Sequence, residues 1–106
     1  MNSHAIVIAD AEGVIRFWNA AAAAAFGHAA SDAIGQTLDL IVPEPYREAH
    51  WQGFRRAVAS GAAAAEGQGG SFPVRRADGE IGEVPGRLTL VRESEGRVIA
   101  AMVVFG

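Results

Sequence analysis

The chain has 106 residues, 50% of them hydrophobic and 20% charged, with a formal net charge of −3 and no cysteine. That length suits one domain, spanning residues 1–106 with a modest core, and the acidic balance speaks against a nucleic-acid footprint. Without cysteine there are no disulfides, no thiolate metal sites, no thiol catalysis and no thioether attachment of haem.

Residues 4–9 form a short apolar run rich in β-branched side chains, and Asp10-Ala11-Glu12-Gly13 ends it with turn chemistry. The run 14–18 follows, so the pair predicts a β-hairpin. Asn19 stands where a helix N-cap belongs, ahead of the alanine run 20–25, and Gly27 stops that helix. Residues 30–35 read as one capped helical turn and 38–42 as a short apolar segment. Pro43 and Pro45 open the longest helical pattern, expected over 44–60 and ending at Gly61.

The stretch 62–71 is rich in Ala and Gly and weakly patterned. Residues 72–76 read as a strand with an Ala-Asp-Gly turn after it. The run 84–91 reads as another, in which Pro85 predicts an edge, an end or a bulge. Residues 98–105 are the most apolar strand and are expected at the centre of the sheet. Strands segregated from helices give an α+β class with an antiparallel sheet. No apolar run approaches the roughly 18 residues of a membrane span. Residues 1–4 lack the basic region of a signal peptide, so a cytoplasmic location is expected.

Several pieces, in order, resemble one family. Asp10 to Asn19 resembles the opening hairpin and Asn of PAS domains, and residues 21–27 resemble their helix ending in Phe-Gly. Ala33-Ile34-Gly35-Gln36, Arg76-Ala77-Asp78-Gly79 and Glu95-Gly96-Arg97-Val98 are similar to the family's later signatures. The resemblance covers nearly the whole chain. It implies a five-stranded antiparallel sheet with helices covering one face, a small cavity, and a sensory role in signal transduction. Sensors of this family detect ligands, light, redox state or partners.

The long helix places Tyr46, His50, Phe54 and Val58 four apart, on one face with Ala57. His50 is the polar member of that stripe and is expected to point inward. A buried imidazole needs a hydrogen-bond partner or a metal, and on spacing alone its plain role is that of a core histidine bonded to a backbone carbonyl. Neutral imidazole is also a protein ligand of haem iron. Pro43 to His50 resembles the helix of oxygen-sensing haem-PAS domains, which implies haem b with His50 as the metal ligand.

The same resemblance sets Gly70 where those sensors carry an oxygen-stabilising arginine, and Gln68 where one branch supplies methionine. The missing arginine implies weak oxygen stabilisation, with CO, NO or redox state as the better signals. Leu88 and Leu90 match the apolar wall opposite the iron, while Arg87 alternates to the other face. His4 and His28 are expected at the surface, Trp18 within the hairpin, and Trp51 flanking the pocket or touching another chain. No nucleophile elbow, phosphate loop or zinc signature appears, so no enzyme is expected. The leading expectation is a haem-based sensor of a diatomic gas or redox state. The alternative is a haem-free interaction module that binds a small apolar metabolite or acts through dimerisation. Either reads as an excised domain, homodimeric and joined to an effector domain in a longer chain.

Overall fold

Period-two alternation builds the sheet. In the computed structural model, which describes residues 4–63 and 66–106, the first strand β1 (Ala5–Asp10) buries Ala5, Val7 and Ala9 and leaves the residues between them half-buried. One face of this strand therefore packs inward. The second strand β2 (Ile15–Trp18) returns through a turn organised by Asp10. Its carboxylate accepts the N–H groups of Glu12 at 2.9 Å and Val14 at 3.0 Å, and the Arg16 Nε–H at 2.9 Å. Burial alone would push the Asp10 carboxyl up, but these donors together hold it below the usual carboxylate value.

Helices then cover the inward face. Helix α1 (Ala20–Phe26) starts at Asn19, whose side chain accepts from the Ala22 N–H, and ends at Gly27 in the left-handed conformation. Both ends follow the residue chemistry of the sequence. The short α2 (Ala30–Ala33) and a 3-10 turn at Leu38–Leu40 lead to a second 3-10 turn, Glu44–Tyr46, and then to α3 (Arg47–Ser60). Strands β3 (Gly69–Arg75), β4 (Ile81–Arg92) and β5 (Val98–Phe105) complete the chain. The five strands lie in the order β2-β1-β5-β4-β3, every neighbouring pair antiparallel, with β5 at the centre as its apolar sequence predicts.

The larger core cluster joins Trp18, Ile15, Phe26, Ala22, Ala33, Ile41, Val74 and Phe105 to Ala5 and Val7 of β1. Phe26 is 1% exposed and meets Phe105 edge-on at a centroid distance of 5.0 Å. Burying a phenylalanine contributes about 1.5–3 kcal/mol.

Four expectations need correction. The long helix does not begin at Glu44, because Pro45 lies inside a 3-10 turn and regular α geometry starts at Arg47. Strand β3 starts earlier than the first apolar residue, at Gly69, since glycines there are held by backbone pairing with Gly86 and Arg87. Pro85 does not mark an edge strand, for β4 lies between β3 and β5. It is tolerated because it sits where β5 runs out, with its carbonyl accepting from the N–H of Gly106. The turn 30–33 has no side-chain cap either: its N-cap position is Ala29.

Candidate functional site

The site is the space between α3 and the sheet. Anchors at the first half of α3 set its position. Arg47 donates from Nε to the Val42 carbonyl at 3.0 Å and from Nη2 to the Asp39 carbonyl at 3.1 Å. The Trp51 indole N–H donates to Asp39 Oδ1 at 2.7 Å. Its ring covers Gly13, where an added Cβ would come within 2.3 Å of the indole. Gly13 also holds a φ of 82°, a conformation that favours glycine. Trp51 therefore turns away from the pocket and pins the helix to the β1–β2 turn. Sequence reasoning missed this role and that of Arg47, because neither lies on the apolar stripe.

A second tether holds the far end. Arg92 donates to the Gly61 carbonyl at 2.8 and 3.0 Å and pairs with the Glu66 carboxylate at 2.6 Å. Glu66 in turn accepts the N–H of Leu90 at 2.9 Å. The Arg92 guanidinium holds the Glu66 carboxyl below its usual value. This clamp ties the exit of α3 to β4. Nothing in the sequence signalled it, since Glu66 lies in the weakly patterned stretch.

Between the tethers α3 stands off the sheet, with Ala57 as its one buried residue. The result is a cavity of about 620 Å³, within the range of small-ligand sites. Its wall includes Val7, Ile41, Ala49, Gly53, Phe72 and Val103. Tyr46, His50, Phe54, Leu88 and Leu90, all singled out from sequence, line it together. Tyr46 is 48% exposed, so it stands at the rim and not in the interior its spacing implied: its residue belongs to the 3-10 turn, not to α3. Gln68 and Gly70 are exposed and do not join the cavity wall. Gly70 pairs with Gly86 in the β3–β4 ladder.

His50 packs against Trp51 and Phe54 at ring-centroid distances of 4.8 and 5.9 Å. Its Nδ1 is buried and has no hydrogen-bond partner among the described residues. The carbonyl bond expected of a structural histidine is thus not formed at that atom. Burial pushes the imidazole below its ordinary pKa, and the charge of Asp39 opposes this in part. Burial thus favours the neutral ring, the form that ligates metals. Among the described residues no cluster of His, Asp or Glu could hold a bare metal ion. A metal at His50 would have to arrive with other ligands of its own, as iron does in haem.

The remaining histidines divide. His4 is exposed. His28 is half-buried, contrary to expectation, because its carbonyl accepts the Trp18 indole N–H at 2.9 Å and its ring lies edge-on to that indole. Arg87 is exposed, as its alternation predicts, and its guanidinium meets the Gly67 carbonyl. No helix among the described residues is long and apolar enough to cross a membrane.

The profile of the PAS fold matches residues 3–106. An uncharacterized protein of Azorhizobium caulinodans is 34% identical over 102 residues, covering 93% of this chain and 14% of that protein. The chain thus spans only a small part of the relative it matches. The crystal structure of a PAS domain from Colwellia psychrerythraea superposes with a TM-score of 0.81 at 21% identity, covering 97% of this chain and 84% of that one. The PAS domain of the RpfR quorum-sensing receptor of Cronobacter turicensis, in complex with C12:0, gives 0.77 at 18% identity, covering 99% and 93%. At these identities the structures speak for the fold, and the profile match over nearly the whole chain decides the family: this chain belongs to the PAS family, whose domains are sensory and signalling modules.

Proposed function

We propose that this domain senses a small ligand held beneath α3, and that the ligand is haem b bound through the imidazole of His50. One observation carries the reading: a neutral imidazole with an unpartnered Nδ1 stands at the wall of an apolar cavity of about 620 Å³. One helical turn on from His50, Gly53 leaves the helix face open, since an added Cβ there would meet nothing within 4 Å. Tyr46, Phe54, Leu88 and Leu90 would surround the macrocycle. A ligating imidazole usually donates its other ring N–H to an acceptor; with Nε2 on the metal, a water in the cavity would have to accept from Nδ1. Bound haem would supply an iron centre responsive to diatomic gases and to redox state. With Gly70 turned to solvent and no arginine among the cavity's inward strand residues, CO, NO or redox state suits the site better than oxygen.

A second reading has its own support. The cavity wall is almost wholly aliphatic and aromatic, and a solved PAS domain of the same fold holds C12:0. On that reading the domain takes a small apolar metabolite without haem, or acts through dimer contacts, and His50 is a packed histidine. The relatives support the fold and ligand binding; the haem reading rests on His50 and on the helix it belongs to. In both readings the module is non-catalytic, homodimeric, cytoplasmic and joined to an effector domain. The small share of the Azorhizobium protein that it spans agrees with the last of these.

The test is the visible spectrum of the protein titrated with hemin, beside His50→Ala. A sharp Soret band that saturates in the wild type and is lost in the variant is the expected result. A spectrum of free hemin in both proteins would sink the haem reading and leave the metabolite reading standing.

A further inference from the structure

The cavity wall is buried on most sides and open on one. Val7, Ile41, Val74 and Leu90 are buried wall residues, whereas Ala49 and Gly53 of α3 line the cavity and are nevertheless exposed. Helix geometry gives the direction of the opening. Trp51 packs on Gly13 in the β1–β2 turn, toward the β2 edge of the sheet. Ala49 and Gly53 stand two residues before and two after it, each about 200° round the helix, so they look toward the opposite edge. That edge is β3, and its Phe72 and Pro73 form the facing wall.

The gap between these lips is bounded lengthwise. At one end the Arg75 N–H donates away from β4, to the Ile41 carbonyl at 2.8 Å. At the other, Arg92 fixes the Gly61 carbonyl. Pro73, two residues before Arg75, points its nitrogen the same way, so its ring stands on the free strand edge where a donor would otherwise wait. The lips at Ala49, Gly53, Phe72 and Pro73 thus carry no polar side chain. Nor does the fold itself call for glycine at 53: its φ is not positive, and an added Cβ would meet nothing within 4 Å. Glycine inside a helix is destabilising relative to alanine, so what this one supplies is room at the mouth of the cavity.

We infer that Ala49 and Gly53, with Phe72 and Pro73 across the gap, form the passage by which an apolar ligand enters and leaves the cavity. Side-chain size at position 53 sets how fast a ligand passes, while the buried wall sets how tightly it is held. The passage therefore selects by width, through rates and not through affinity. The inference rests on the cavity being the ligand site, and it holds whether or not that ligand is haem.

Stopped-flow binding of 1-aminoanthracene, a neutral flat dye that fluoresces in apolar surroundings, measures both rate constants in the wild type, Gly53→Ala, Gly53→Leu and Gln52→Leu. Gln52 is exposed and outside the cavity wall, so its variant controls for an added leucine on the same helix. Gly53→Leu is expected to slow association and dissociation together, about tenfold or more, and to change the dissociation constant by less than about twofold. Gly53→Ala should unfold at higher urea than the wild type and slow both rates by a smaller factor, which keeps the test open if the leucine variant fails to fold. Gln52→Leu should match the wild type. Unchanged rates in both Gly53 variants, or a dissociation constant that moves with the dissociation rate alone, overturns the passage and leaves the cavity as a site. Faster exchange in Arg92→Gln with the Gly53 variants silent also overturns it, by putting the entrance at the end of α3. Failure of both the dye and hemin to bind the wild type overturns the cavity as the ligand site, and the passage with it.

Discussion

Helices α1 and α3 lie on the same sheet and treat it in opposite ways. α1 drives Phe26 and Ala22 fully into the core, where Trp18, Ile15 and Phe105 close around them. α3 is twice as long, yet it buries only Ala57 and stands over a cavity. The difference follows from what each helix presents. Alanines on α1 let it settle close to the strands, and one large aromatic at its end fills the remaining space. On α3 the inward face carries His50 and Phe54 with Gly53 between them, and its ends are fixed by Arg47, Trp51 and the Arg92 clamp on Gly61. The helix is held in place by polar and aromatic tethers around the cavity and not by packing through it. Close packing fills one end of the domain, and incomplete packing leaves a cavity at the other.

Stability measurements can break that comparison. Phe26→Ala should cost about 3–5 kcal/mol, because a fully buried aromatic leaves a cavity that the surrounding sheet cannot collapse; urea unfolding with a loss below about 1 kcal/mol would show that the packed end is not packed. Asn19→Ala should cost less, about 2 kcal/mol. Its Oδ1 accepts from the N–H groups of Ala22 at 2.9 Å and Ile6 at 3.0 Å, and its Nδ2 donates to the His4 carbonyl at 2.8 Å. One side chain thus caps α1 and bridges β1, and the same unfolding experiment should rank this variant second.

How much of this was legible in the sequence follows the same divide. The hairpin, α1 with its Asn19 cap and Gly27 stop, and the central apolar strand could all be read, because local chemistry decides each of them. The stripe of His50 and Phe54 and the wall residues Leu88 and Leu90 could be read from periods of four and two. Tyr46 was placed too deep because Pro45 changes the helix type beneath it. The anchoring roles of Trp51 and Arg47 were missed because neither lies on the apolar stripe, and Trp51, expected beside the pocket or against another chain, packs instead on Gly13, far back in the chain. Glu66 and Arg92 meet across 26 residues, and no local pattern announces such a pair. The glycines of β3 gave no strand signal since pairing, not propensity, makes them extended.

The smallest effect gives the sharpest view of the hollow end. His50→Leu keeps the side-chain volume roughly constant and removes a buried nitrogen that has no partner. The protein should be as stable as the wild type or more so by about 1 kcal/mol, in contrast to Phe26→Ala, while hemin binding is lost. The pH dependence supplies the control. Burial sets the His50 pKa in the fold below its ordinary value of 6.5, so below that pH the unfolded chain takes up a proton before the folded one does. Wild-type stability should therefore fall as the pH drops below 6.5 and level off beneath the folded pKa. The low-held carboxyls of Asp10 and Glu66, with ordinary values of 3.8 and 4.5, lose their contributions with the same sign but only at more acid pH. Between pH 6.5 and about 5 the slope should thus be shallower in His50→Leu than in the wild type. Parallel curves in urea titrations over that window would mean that the imidazole is as well solvated in the fold as out of it, and the neutral, ligand-ready histidine at the cavity wall would be lost with it.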